Sequence, residues 1–331
     1  MLFWKKEIQI LKNTQNFLEI DCIQNLYDML LKLNEWVLAA RLRTIPLSIS
    51  GVLIGSSAAF SDNKFDVSMF LLAIFTAISY QILSNFSNDF GDGIKGTDDN
   101  RIGPKRVVQS GGIGVSEMKK GIFILVVISI SLTLSLVLLS FWGDTINLAF
   151  FVLLGLLAIT AAIKYTVGEN AYGYSGFGDL FVFLFFGLIS VLGSNYLFTS
   201  TLNYILIYPS CIIGLLSVGV LNLNNMRDIE NDRKSKKNTI AVKLGVFKSK
   251  LYHYFLICSS IVLMIIFHTK LKSDSNLLLS LIICNILWLI FHVFQVSKIK
   301  TPKTFDEFLK PLGLSTFLYS IILSLYFYEI L

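Results

Sequence analysis

Charge is scarce in this chain of 331 residues: Asp, Glu, Lys and Arg make up 15% of it, against 54% hydrophobic residues and a mean hydropathy of +0.67. A soluble globular domain carries about 25% charged residues, and no stretch here is left over for one of appreciable size. The four cysteines, Cys22, Cys211, Cys258 and Cys284, have no paired spacing, and three of them sit in apolar runs. That excludes a disulfide framework and a cysteine-built zinc site. His253, His268 and His292 are isolated from one another in the sequence, so a histidine metal centre is not expected either. Residues 1–35 lack the continuous apolar core of a signal peptide. Charges such as Lys5, Glu7, Lys12, Asp21 and Lys32 alternate there with Phe3, Trp4, Leu11, Phe17 and Leu30, and the pattern reads as an amphipathic N-terminal extension lying at a membrane surface.

What the chain has in abundance is uncharged length. Runs extend over Thr44–Ser61, Val67–Asn88, Gly121–Gly143, Thr145–Ile163, Leu180–Met226, Leu251–Thr269, Ser275–Ser297 and Pro311–Tyr328. A helix crosses a bilayer in about 17 to 25 residues, so the 47-residue run from Leu180 must hold two spans, hinged near the polar Thr199–Asn203. The expectation is an all-α polytopic membrane protein with nine transmembrane helices in residues 36–331. Nine spans place 25 of the 28 lysines and arginines on one face, leaving only Lys64, Lys270 and Lys272 on the other. By the positive-inside rule the N-terminus and the loops 89–120, 164–179, 227–250 and 298–310 are cytoplasmic, and the C-terminus lies outside.

Two polar phrases interrupt this background on the cytoplasmic face. The second span closes with Asn85, Asn88, Asp89 and Asp92, which share a helix face at i, i+3, i+4 and i+7. The sixth closes with Asn224, Asp228 and Asp232 at i, i+4 and i+8, with Asn225 alongside. The two motifs lie four helices apart and on the same face. That arrangement implies two parallel four-helix pseudo-repeats plus a ninth helix, not the inverted repeats common among transporters. Carboxylates gathered near a membrane repel unless cations lie between them. Oxygen-only donors suit magnesium, which binds through one or two carboxylates and the oxygens of a substrate phosphate. Two such ions would bridge the acids to a diphosphate, and Lys95, Arg101, Lys105, Arg106, Arg227, Arg233, Lys234, Lys236 and Lys237 are donors suited to it as a leaving group. A diphosphate at the mouth of an apolar bundle points to an isoprenoid tail. The carbocation formed at its allylic end would be shielded from water, with Phe86, Phe90, Tyr165, Tyr172 or Tyr174 offering π faces.

At these residues the sequence resembles the intramembrane aromatic prenyltransferases of the UbiA superfamily, whose two aspartate-rich motifs look like Asn88-Asp89-x-x-Asp92 and Asp228-x-x-x-Asp232. The stretches 103–111, 174–187 and 225–245 are similar to 1,4-dihydroxy-2-naphthoate prenyltransferases of menaquinone biosynthesis. The resemblance implies a UbiA-type bundle in the bacterial cytoplasmic (inner) membrane. The activity it implies is Mg2+-dependent transfer of a polyprenyl group from polyprenyl diphosphate to 1,4-dihydroxy-2-naphthoate, with loss of carbon dioxide, giving demethylmenaquinone. Metal ligands are then expected at Asn88, Asp89, Asp92, Asn225, Asp228 and Asp232, diphosphate contacts at Lys105, Arg106, Arg227 and Arg233, and catalytic roles at Lys164, Tyr165 and Tyr174. Gly96 and Lys236 stand where further motif acids are common, and Asp179 where a glutamate is expected. A sibling enzyme acting on 4-hydroxybenzoate, homogentisate or haem, or a membrane transporter, are the alternatives. The lipid bilayer is an expected partner and nucleic acid is not.

Overall fold

The computed structural model describes residues 17–96, 106–271 and 273–328, with side chains of the first helix described from residue 24 onward. Lys105, with residues 97–104, and residues 1–16 lie outside these described residues, as do the expectations that fall on them. The elements are α1 (Phe17–Ala40), α2 (Ile45–Ala58), α3 (Val67–Ile94), α4 (Val115–Ser140), α5 (Thr145–Lys164), α6 (Gly178–Thr199), α7 (Ile207–Arg227), the short α8 (Ile229–Lys234), α9 (Ile240–Leu271), α10 (Asn276–Lys298) and α11 (Asp306–Phe327). No strand occurs among the described residues. Nine helical segments within them are long and apolar enough to cross a bilayer, the first being counted across Gln24–Ala58.

Local chemistry sets the ends of these helices. Asp66, Asp144 and Ser275 cap α3, α5 and α10 by accepting hydrogen bonds from the backbone N–H groups of Met69 (2.8 Å), Asn147 (3.1 Å) and Leu278 (3.2 Å). Ser200 adopts a left-handed backbone, φ 55°, and stops α6 in the polar hinge where the 47-residue run was expected to turn. Arg41 does the same after α1, with φ 50°. α1 is continuous through Ala40, and the bend comes one residue later. Trp36, Ala39 and Ala40 fasten α1 to Phe86 and Phe90 of α3, while Leu26, Met29, Leu30, Leu33 and Val37 are exposed.

The outside of the bundle is apolar, as lipid contact requires: Phe123, Ile124, Phe150, Leu153, Phe255, Phe291 and Phe294 are all exposed. Inside, helices approach through small residues and polar pairs, because lipid supplies little hydrophobic drive between helices. Gly51 and Gly55 of α2 lie so close to Ser190 and Ser194 of α6 that any side chain would overlap them. Further along the bundle, His253 and His292 join α9 to α10 with their Nε2 atoms 3.0 Å apart, and Asn285 of α10 donates to the Ser315 carbonyl of α11 (3.1 Å). These pairs sit in the largest apolar cluster, built from α2, α6, α7 and α9 to α11 around Ile54, Val191, Ile213, Leu216, Ile257, Leu289, Leu312 and Tyr319. Between α2 to α6 and α7 the packing opens. There α6 carries a π-helical stretch, Phe183–Gly193, a wider winding that recurs at functional sites.

Candidate active site

A cavity of about 400 Å³ occupies that opening, within the size range of small-molecule sites. Its deep part is lined by Thr76, Tyr80, Thr133, Val137, Phe151, Phe185, Ile189 and Leu197, and its mouth by Arg41, Arg43, Asn85, Asn88, Asp92, Arg106, Asn224, Asn225, Lys237 and Lys310. One end is therefore greasy and the other is polar and rich in cations.

The first motif forms the last turns of α3. Asn85 donates to the Ala40 carbonyl (2.8 Å) and to Thr44 Oγ1 (3.1 Å), which pins the α1–α2 bend to the site. Asn88 accepts from Thr166 Oγ1 (3.2 Å). Asp92 accepts from the Tyr174 hydroxyl (2.8 Å), and Arg106 Nη2 and Lys237 Nζ each stand 3.4 Å from its Oδ2. Asp89 behaves differently: its two oxygens accept the backbone N–H groups of Val107 (3.1 Å) and Val108 (2.9 Å), and it does not line the cavity. The four-residue stripe spans about 100° of helix surface with Asp89 at one edge. That edge faces the returning loop.

The second motif follows a break in the helix. A continuous helix was expected through Asn224, Asp228 and Asp232, but α7 ends at Arg227 and α8 starts at Ile229, with Asp228 at φ −95°, ψ 7° between them. Asp228 accepts from Nε (2.8 Å) and Nη2 (2.7 Å) of Arg227, whose remaining hydrogen bonds go to Asn224 Oδ1 (2.8 Å) and to Asp306 at the start of α11. Asp232 is 3.9 Å from Lys237 Nζ. Lys236, with φ 56°, is the left-handed residue that folds the chain back after α8, and the N–H of Lys237 donates to the Asp232 carbonyl (2.8 Å). Lys237 thereby touches the inward acid of each motif.

The aromatic residues divide into two groups. Tyr165 and Tyr172 line the cavity with their rings edge to face at 5.3 Å, and Phe181 stacks on Tyr172 at 4.0 Å. Burial, then the negative charges of Asp179 and Asp92, pushes the Tyr165 hydroxyl well above its ordinary range; burial and the neighbouring Tyr165 do the same to Tyr172. Both stay protonated and present π faces and O–H groups, not phenolates. Tyr174 instead serves Asp92, with Lys95 Nζ 3.9 Å and Lys237 Nζ 5.3 Å from its ring centroid. It is not among the cavity's lining residues.

The sequence of residues 48–321 matches the UbiA prenyltransferase family. The chain belongs to that family. A 1,4-dihydroxy-2-naphthoate octaprenyltransferase of Escherichia coli (strain K12) is 43% identical over 234 residues, 70% of this chain and 76% of that protein. One of the same name from Haemophilus influenzae is also 43% identical, over 68% of this chain and 74% of its own length, and one from Mycobacterium tuberculosis is 35% identical over 67% and 74%. In fold, this UbiA-family chain matches the structure of a UbiA homolog from Archaeoglobus fulgidus bound to GPP and Mg2+ with a TM-score of 0.64 at 13% identity, over 89% of this chain and 99% of that one.

Within this UbiA-family bundle the expected site residues are not all brought together. Asn88, Asp92, Arg106, Tyr165 and Asn225 line the cavity; Asp232 reaches its edge through Lys237; Asp89 and Asp228 are turned to the loop and to Arg227. Arg227 is buried at 1% exposure among its acidic and amide partners and does not line the cavity. Lys164 and Arg233 are exposed and line no part of the cavity. Neighbours on a helix point about 100° apart, so Tyr165 facing in sends Lys164 out. Among the described residues no three of His, Cys, Asp and Glu gather as a preformed metal cluster. The donor set at the mouth is Asp92 and Asp232 with the amides Asn85, Asn88, Asn224 and Asn225, which is oxygen-only and matches the one or two carboxylates that magnesium takes from a protein. The placement of a lysine ammonium against both acids shows that the spot accommodates positive charge. The residues fit the cation. Sequence reading missed Arg41, Arg43 and Lys310 as lining residues, because charges flanking a span are explained already by membrane topology.

Proposed function

We propose that this integral membrane protein transfers a polyprenyl group from polyprenyl diphosphate to 1,4-dihydroxy-2-naphthoate, releasing diphosphate and carbon dioxide. The observation that carries the reading is one cavity joining a cation-rich, oxygen-donor mouth to an apolar chamber, in a chain 43% identical to relatives of that named activity. Arg41, Arg43, Arg106 and Lys237 bind the diphosphate, and the tail lies along Phe151, Val137 and Leu197. Asp92 with Asn88, and Asp232 with Asn225, would hold two magnesium ions, which would supply the neutralisation of charge developing on the departing diphosphate.

The C1–oxygen bond of the prenyl diphosphate breaks and its electron pair leaves on the diphosphate. Tyr165, Tyr172 and Phe181 face the allylic cation, and the apolar lining of the deep end keeps away the water that would quench it. The ring carbon bearing the carboxylate supplies the electron pair for the new C–C bond. Loss of the carboxylate as carbon dioxide returns a pair to the ring, so the quinol form of demethylmenaquinone results and no ring proton has to be removed. Asp89 and Asp228 hold structure: one accepts from the backbone N–H groups of Val107 and Val108, the other grips the Arg227 side chain and through it the start of α11. The lysine and arginine distribution supports a cytoplasmic mouth and N-terminus and an external C-terminus, with the exposed apolar stripe of α1 against lipid; residence in a bacterial inner membrane is supported by the likeness to bacterial relatives alone.

Purified protein in detergent, given carboxyl-labelled 1,4-dihydroxy-2-naphthoate, a long-chain polyprenyl diphosphate and magnesium, should release one labelled carbon dioxide per prenylated product and do neither when a chelator is added. Prenyl transfer to 4-hydroxybenzoate or homogentisate alone would replace the acceptor. Transfer that persists in chelator would remove the metal.

A further inference from the structure

Lys237 is out of place for a simple surface lysine. It is buried at 9% exposure, its Nζ lies 3.4 Å from Asp92 Oδ2 and 3.9 Å from Asp232 Oδ1, and the Tyr174 ring is 5.3 Å away. Asp92 also faces Arg106 and the Tyr174 hydroxyl, and Lys237 is paired with an acid from each motif. A lysine ammonium is a compact charge on a flexible four-carbon stem, unlike the rigid fork of Arg106. Its anchor is firm all the same, because the left-handed Lys236 and the Lys237 N–H to Asp232 carbonyl bond hold the backbone.

We propose that Lys237 is a built-in placeholder cation that neutralises Asp92 and Asp232 until a divalent metal arrives, and then swings into the cavity to hold the diphosphate. The inference rests on the magnesium reading above and adds an exchange to it. A metal ion and an ammonium cannot share one pair of carboxylates without strong repulsion between like charges. Lys237 already lines the cavity, so its displaced end moves toward the anion side, past the face of Tyr174. A metal arriving alone must expel a lysine that gains nothing elsewhere, whereas a metal arriving with diphosphate gives that lysine a new partner. Metal and diphosphate therefore favour each other's binding, reciprocally.

The exchange predicts opposite effects on two ligands. Lys237→Met in the full-length protein should bind Mn2+ alone about tenfold more tightly than wild type, read from the electron paramagnetic resonance signal of the aqueous ion. With saturating Mn2+, the same variant should bind inorganic pyrophosphate about tenfold more weakly. A merely structural lysine would weaken both. Lys237→Gln carries the same expected signs should the methionine variant not remain monodisperse in detergent. Lys243→Met, which removes a nearby lysine bound to the Ser175 carbonyl, should change neither affinity. Mn2+ binding by Lys237→Met equal to or weaker than wild type, with binding lost in Asp92→Asn, overturns the exchange alone. Unchanged Mn2+ binding in Asp92→Asn removes the metal reading and the exchange with it.

Discussion

The two acidic motifs divide their labour in the same way and anchor to different things. In each, one carboxylate pairs with the cavity-lining Lys237 and the other is spent on holding structure: Asp92 against Asp89 at the end of α3, Asp232 against Asp228 after α7. Asp89 holds its own neighbourhood, the backbone of Val107 and Val108. Asp228 holds a distant one, since the Arg227 it grips also reaches Asp306 on the last helix. A motif written as a run of equivalent aspartates is thus two kinds of residue, and the structural acid of the second motif ties in α11.

The largest effects should fall on the inward pair. Asp92→Ala and Asp232→Ala should each lower kcat/KM about 1000-fold, the scale on which electrostatic groups at a charge-developing site act, while the melting temperature in detergent changes little. The outward pair should reverse this. Asp228→Ala leaves the Arg227 guanidinium, 1% exposed, without its bidentate carboxylate, at a cost of about 3 kcal/mol. Asp89→Ala strands two backbone N–H groups, at about 1–3 kcal/mol. Thermal denaturation beside initial rates separates the classes. Equal loss of activity in all four variants at unchanged stability would dissolve the distinction.

How far this was readable in advance follows from the range over which each signal acts. Hydropathy and charge are local, so nine spans, the hinge at Ser200 and the placement of both motifs at one end of the bundle were all legible. The bend at Arg41 was not, because a left-handed backbone at an arginine leaves no trace in hydropathy. Helical spacing identified Asn88 and Asp92 correctly as a stripe but could not say which edge would meet the loop. It failed at Asp228, where the chain leaves the helix and the i+4 count no longer applies. The π-helical winding of α6 and the pairing of Lys237 with two acids of different motifs depend on contacts between helices that no single run of residues encodes.

The two halves also differ in packing: one wall of the cavity lies among α2 to α6, while α9 and α10 are packed tight. Gly155 of α5 lies where any added side chain meets Thr133 and the Tyr80 hydroxyl, which are themselves hydrogen-bonded at 2.6 Å inside the chamber. Gly155→Leu should therefore narrow the apolar end and shift preference toward short prenyl diphosphates, geranyl over a long-chain donor, by about tenfold in kcat/KM. An enlargement at Gly219 of α7, which contacts Ile257, Leu312 and His253 but not the cavity, should show no such shift. A loss of activity independent of chain length in Gly155→Leu would place the tail elsewhere.

The smallest effect is expected where the first motif has its own lysine. Lys95 follows Asp92 by one turn, as Lys237 follows Asp232 by a short loop, and both ammonium groups lie over Tyr174. Lys95, however, is exposed, donates to the Thr166 carbonyl (2.9 Å) and pairs with no second acid. Lys95→Met should raise KM for the prenyl diphosphate only about threefold, as befits a solvated charge. Partial burial lowers the pKa of Lys95, Asp92 opposes that shift and the like charge of Lys237 adds to it. Its charge is then lost earlier, as pH rises, than that of a fully solvated lysine. KM for the prenyl diphosphate should climb on the alkaline side in the wild type and stay flatter in Lys95→Met. Because Lys237 contributes to the lowering, Lys237→Met should push the same alkaline limb to higher pH. A limb that ignores both substitutions would mean that Lys95 does not sense the site, and that the two lysines beside Tyr174 are alike in position only.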